Sequence, residues 1–409
     1  MTDDSNSVKR RAVFFVGGFD PKSPDAFYTR MDRENGRFEE LWGARVERKQ
    51  LDSQDSDIFR CRFNSSGEDL GHKWSTQTEF NFMTLDDIVL KDFARPLPMR
   101  FWRYLKTFLD YLISGTAFRF VGLAWRFSLY FFYPAIALLA CMFGSYSLAT
   151  WVAGLGFSAA PILAVAVFAA SLMLCYQFVL KNKHVLHLMD LWSFSREYLH
   201  QRRPDMDDKL NRMADRIFEA AADGEFDEIL TIGHSTGGAL ILDAAARVYE
   251  RHPEFATLNN NLTVLTVGST ALKIGIHPAG GWFRQRLERL FSQTPTRWVE
   301  FQSVLDIINF YRTVPTKLMG FDTSMQHPMI TKRLQIKSMV SPDVYRNMRR
   351  HYFRIHYQFV FGNTRKYIYD FPAFCFGPAR LTWRILSGDR HQSENPFTDN
   401  LSGIKEDSK

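Results

Sequence analysis

From Phe127 to Leu180 the chain contains no Asp, Glu, Lys, Arg or His. That run is more than twice the ~20 residues a helix needs to cross a hydrocarbon core. A soluble helix must keep one face wet, so a soluble fold has little use for such a stretch. The run predicts two membrane spans, 127–147 and 160–180, with Gly154 and Gly156 in the turn between them. Pro134 and Pro161 fall near span beginnings, where a missing N–H costs little. Ala135, Ala137, Ala140, Gly144, Ala164, Ala166 and Ala169 would let the two helices approach closely.

The flanks predict an orientation. Arg100, Arg103, Lys106, Arg119 and Arg126 precede the first span, Lys181 and Lys183 follow the second, and the connection carries no cation. Positive-inside asymmetry then places both flanks, with the catalytic domain and both termini, in the cytoplasm. Upstream, 99–125 is aromatic and basic. It reads either as a helix lying in the interface plane or as one packed on the rest of the protein.

A net charge of +7, a pI of about 9.1 and 37 phenylalanines suit an anionic membrane surface better than nucleic acid, for which no recognition motif appears. Cys61, Cys141, Cys175 and Cys375 form no CxxC pair, which fits a reducing compartment. No metal or cofactor spacing is visible, so none is expected. The polar start, followed by an apolar run of only strand length, does not read as a secretory signal.

Outside the apolar hairpin, strand and helix patterns alternate, predicting an α/β fold with a largely parallel sheet flanked by helices. Strands are expected at 12–16, 45–51, 58–63, 228–232, 262–267, 298–304 and, last, 334–339. Helices are expected at 25–41, 205–222, from the residues after Gly237 to Tyr249, and at 342–361. Residues 1–98 and 184–387 would then form one domain interrupted by an insert at 99–183. The tails 1–9 and 388–409 are polar enough to be disordered. The basic aromatic run 365–384 is expected either on an anionic leaflet or packed on the domain.

The chemistry lies in Gly233-His234-Ser235-Thr236-Gly237, a G-x-S-x-G pattern with a short apolar strand before it and a helical run after it. A serine on such a strand-to-helix turn has strained backbone. The turn lifts its Oγ above the sheet and aims the next N–H, that of Thr236, at a developing oxyanion. In this arrangement the chain resembles the α/β-hydrolase superfamily, over most of its length outside the hairpin. The resemblance implies a second oxyanion donor in Val16-Gly17-Gly18-Phe19, at Phe19 or Gly18, with Gly17 where the family often has His. It implies an acid after strand 298–304, at Asp306 with Asp322 as runner-up, and a base after the last strand. His356 is preferred for the base over His351, and His327 comes third. The chain has Val314-Pro315 where many relatives carry Asp-Pro. His234, within the motif, reads as a packing residue.

These assignments imply a Ser-His-Asp esterase acting through an acyl-enzyme. Its expected partners are the lipid bilayer and a lipid or acyl-ester substrate, because insertions at this point of the family's chain commonly cap the pocket. A catalytically silent version of the same fold, serving as a membrane scaffold or signalling module, is the alternative. A channel is disfavoured by the absence of any ionisable residue within the spans.

Overall fold

The computed structural model describes residues 7–51, 57–69, 72–258 and 262–388. The chain forms two compact units, one from residues 1–90 and 201–409, the other from 91–200.

The first unit is α/β. Its eight strands are β1 (Arg10–Val16), β2 (Ala44–Gln50), β3 (Ile58–Asp69), β4 (His72–Met83), β5 (Glu228–His234), β6 (Leu262–Val267), β7 (Arg297–Ser303) and β8 (Ile330–Leu334). They form one sheet in the order β2-β3-β4-β1-β5-β6-β7-β8. The β2–β3 and β3–β4 pairs are antiparallel, and every other pair is parallel. The parallel centre is buried on both faces, one of them apolar. Val13, Phe15, Leu230, Ile232, Leu265, Val267, Val299 and Phe301 meet Phe27, Tyr28, Met31 and Phe38 of the helix Pro24–Trp42. The helix Gly237–Arg251 is buried along nearly its whole length.

Several expectations need correction. β4 carries no strand signal in the sequence because His72–Glu79 is polar apart from Trp74, its inward positions being Thr76 and Thr78. Its inward polar groups are satisfied by backbone: Thr78 donates to Cys375 O at 2.8 Å and Thr76 to Val8 O at 2.8 Å. The last strand is β8, not 334–339, where Ile336–Met339 is a single helical turn. The helix expected over 342–361 breaks at Arg349 into Pro342–Met348 and Tyr352–Tyr357. Of the N-terminal tail, Ser7 bridges to Ala379 and Val8 is fully buried. The tail 388–409 lies outside the described residues beyond Gly388. The run 365–384 packs inward: Phe371, Phe374 and Phe376 join the core, and Arg384 caps the Trp42 ring at 4.8 Å.

The second unit is helical and begins and ends outside the insert expected at 99–183. The helix Val185–Leu199 belongs to it because buried ion pairs tie it to the helix Leu97–Ile113. Arg103 Nε donates to Glu197 at 2.6 Å, Arg196 to Asp110 at 2.7 Å, and Arg100 pairs with Asp190. Leu97–Ile113 therefore turns its arginines inward. Its other side exposes Met99, Trp102, Leu105, Leu109 and Ile113. Two helices, Trp125–Ala153 and Ala160–Lys181, are long and apolar enough to cross a membrane. Leu139, Phe143, Trp151, Ile162, Val165 and Met173 stand exposed along them.

Candidate active site

β5 delivers its last residues into a sharp turn. Ser235 adopts φ +60°, in the left-handed region where a side chain costs roughly 1–2 kcal/mol. The neighbouring glycines explain how the turn closes. A Cβ on Gly233 would stand 2.5 Å from Gly237 O and from Ile241 Cγ2, and one on Gly237 would stand 2.2 Å from Val16 O. Gly238, outside the pentapeptide, is equally constrained: its Cβ would meet Ser269 Oγ at 2.3 Å. Backbone hydrogen bonds complete the turn, from Ser235 N to Val267 O at 3.3 Å and from Thr270 N to Ser235 O at 3.1 Å.

The turn after β1 lies against the serine. A Cβ on Gly18 would be 3.5 Å from Ser235 Oγ, and Phe19 beside it is buried. The Thr236 N–H has no acceptor among the described residues and lies at the start of the helix Gly237–Arg251. That terminus carries positive partial charge.

Asp306 follows β7 in a tight turn and is buried. Its Oδ1 accepts the Ile308 N–H at 2.9 Å, and its Oδ2 lies 2.8 Å from His356 Nδ1. With both carboxylate oxygens so engaged, Nδ1 carries the proton and Nε2 presents a lone pair. Nε2 is buried without a hydrogen-bond partner, so Ser235 Oγ and His356 Nε2 share no bond here. Asn309 fastens the acid turn, donating to Asp306 O at 2.7 Å and Ser303 O at 2.9 Å. Gly268, at φ +53°, makes room for the imidazole, since a Cβ there would sit 3.1 Å from His356 Cε1. Gly268 also follows Val267, whose carbonyl holds the Ser235 N–H, so ring and serine share one wall.

His234 packs on His356 with ring centroids 4.4 Å apart and its Nε2 3.1 Å from His356 O. Burial, the His356 ring and the charges of Arg30 and Lys22 hold His234 well below the usual range, hence neutral. Lys273 carries no signal in the sequence. It is fully buried, donates to Thr236 Oγ1 at 3.0 Å, and is pushed down to about 7 by burial. Among the described residues no cluster of three or more His, Cys, Asp or Glu has a metal-binding arrangement.

The other candidates stand elsewhere. His351 is exposed at the break before Tyr352–Tyr357, and Asp322 and His327 are half-buried on the segment leading to β8. Gly268, Asn309 and Lys273 escaped the sequence reading because each matters only through a distant contact.

No protein-family model matches this chain, and neither a curated protein nor a solved structure matches it.

Proposed function

We propose that the chain is a membrane-embedded serine hydrolase of the α/β-hydrolase type, cleaving carboxylic esters of lipids or other acyl compounds. One observation carries the reading. A serine strained into the left-handed region between β5 and its helix faces the Gly17-Gly18 turn, and a buried Asp306–His356 pair with an open Nε2 lies against the same wall.

The steps follow from the atoms. His356 Nε2 takes the Ser235 proton, and Oγ forms a bond to the ester carbonyl carbon. The Thr236 N–H, with Phe19 or Gly18 as the second donor, receives the oxyanion. Collapse breaks the bond to the leaving alkoxide, which takes the proton from His356. Water, deprotonated by His356, then attacks the acyl-enzyme and releases the acid and Ser235. Asp306 holds the tautomer and stabilises the imidazolium.

The membrane setting rests on the exposed apolar sides of Trp125–Ala153 and Ala160–Lys181, and on a neighbouring helix whose arginines are buried while its apolar side is bare. Exposed apolar patches of this extent mark contact with lipid or partner. The proposed topology keeps both flanks in the cytoplasm.

The alternative, a silent scaffold of the same fold, is favoured by the missing Ser235–His356 hydrogen bond. Such bonds are often loose in the free enzyme. Fluorophosphonate labelling of the full chain in detergent separates the two: an adduct lost in Ser235→Ala supports the hydrolase, and no adduct supports the scaffold. Activity on long acyl esters that rises with a detergent interface supports the lipid assignment. A preference for short soluble esters without interfacial dependence contradicts it.

A further inference from the structure

Beside Gly18 lies a small recess, open to solvent, whose walls include Asp20, Lys22, Arg30, His234 and Tyr357. The chemistry above uses none of its charges. Two of them are accounted for: Asp20 pairs with Lys22 at 2.9 Å and accepts the Tyr357 hydroxyl.

Arg30 differs. Its guanidinium lies against three rings, 5.2 Å from the centroid of Phe27 and 5.7 Å from those of Tyr357 and Phe361. Among the described residues it makes no hydrogen bond and no ion pair. Glu34, one helical turn on, would be its natural partner. That carboxylate is already committed, to Arg33 at 2.9 Å, to Arg37 at 2.6 Å and to the Gly362 N–H at 3.0 Å. Burial pushes the Arg30 guanidinium down from its usual value, yet arginine keeps its charge in proteins. His234 is neutral, so Lys22 and Arg30 against Asp20 leave the recess one positive charge in excess. A neutral acyl chain filling it would take guanidinium N–H groups from water without offering an acceptor. A carboxylate or phosphate matches the planar fork.

We propose that this recess binds an anionic group of the substrate, a carboxylate or a phosphate, and that Arg30 is the specificity-determining residue. The word substrate rests on the hydrolase reading; the anion site stands on Arg30 and its surroundings.

Two measurements keep those claims separate. In the first, full-chain Ser235→Ala protein in neutral detergent is titrated calorimetrically with monomethyl glutarate and with dihexanoyl phosphatidate. Their uncharged counterparts, dimethyl glutarate and dihexanoylglycerol, serve as references. At least one anion should bind ten-fold or more tightly than its reference, in line with a charge-assisted hydrogen bond. Arg30→Gln should erase that preference, Arg30→Lys should restore part of it, and Arg45→Gln, at an exposed position that does not touch Glu34, should retain it. Preference for phosphatidate identifies a lipid headgroup, and preference for the glutarate ester identifies a water-soluble acid. Anions that bind no better than their references, or a preference that survives Arg30→Gln, overturn the proposal. In the second, the kcat/KM ratio of mono-4-nitrophenyl glutarate to 4-nitrophenyl pentanoate should fall at least ten-fold in Arg30→Gln. If neither ester turns over and Ser235 takes no adduct, the hydrolase reading fails while the calorimetry still decides the anion site.

Discussion

Replacing Gly237 by alanine would place a methyl carbon 2.2 Å from Val16 O and 2.3 Å from Gly17 O. Both are backbone atoms, so no side chain can rotate away. Real Cβ atoms essentially never approach closer than 3.0 Å, so the elbow and the turn after β1 must part by about 0.8 Å, the difference between 3.0 and 2.2 Å. That turn carries the Gly18-Phe19 donors, and a misplacement of about 1 Å costs on the order of 100-fold in rate. Overpacking should also cost about 1–3 kcal/mol of stability. The assay is the second-order rate of fluorophosphonate labelling at Ser235, measured beside the thermal unfolding of the same sample. Gly36→Ala supplies the control, since Gly36 is exposed in the helix Pro24–Trp42 with nothing within 4 Å of a new Cβ. It should gain about 0.5–1 kcal/mol and label normally. If Gly237→Ala labels at the wild-type rate with unchanged unfolding, the close approach of the two turns is not what holds the oxyanion donors in place.

Other outcomes follow from the same geometry. Asp306→Asn should reduce ester hydrolysis about 10⁴-fold by favouring the wrong tautomer, while leaving unfolding less affected; a ten-fold loss would remove Asp306 from the acid's role. Glu300 is fully buried among Thr266 and Gln302, and burial pushes it up from 4.5 to about 7. The native state then keeps a proton that the unfolded chain sheds, so stability should fall by about 3 kcal/mol as pH rises from 4.5 to 7. Glu300→Gln should flatten that slope in denaturant titrations. Lys273 has the opposite sign: lowered from 10.5 to about 7, it should let stability rise by up to about 5 kcal/mol between pH 7 and 10.5. Lys273→Met should remove that rise, and an unchanged profile would place the lysine in contact with water. Leu139→Asp tests the membrane setting. In a bilayer it should cost about 3 kcal/mol and weaken retention in carbonate-washed membranes, whereas on a solvated helix it should cost under about 0.5 kcal/mol.

Legibility in the sequence tracked how local the physics was. β6 matches its expected bounds because an apolar run between polar turns leaves little else for it to be. The turn at Ser235 was readable because its demands fall on residues two positions away, at Gly233 and Gly237. β4 was unreadable because its buried Thr76 and Thr78 are satisfied by carbonyls of Val8 and Cys375, far along the chain. Residues 334–339 have the composition of a strand, yet Ile336 and Met339 are buried one helical turn apart rather than alternating across a sheet. The distance of 2.8 Å between Asp306 and His356 spans 50 residues of sequence, and only the family resemblance suggested it. Gly268, Asn309 and Lys273 had no such guide. Their importance lies in what they touch: an imidazole edge, a carbonyl and a threonine hydroxyl.

The buried ion pairs of the helical unit impose an order on its making. Arg100 and Asp190 are 90 residues apart, and Arg103 and Glu197 are 94 apart, with both apolar helices between them. A ribosome releases the cations well before the carboxylates that neutralise them. Through that interval Arg100 lacks Asp190 and Arg103 lacks Glu197, leaving Arg103 only the upstream Asp92, while Trp102, Leu105 and Leu109 are bare on the other side. In the proposed membrane setting, a headgroup layer would accommodate both sides at once, as neither water nor hydrocarbon does. On that proposal the hairpin would be in place before the helix Val185–Leu199 arrives, and the arrival of Asp190 and Glu197 would lock the arrangement.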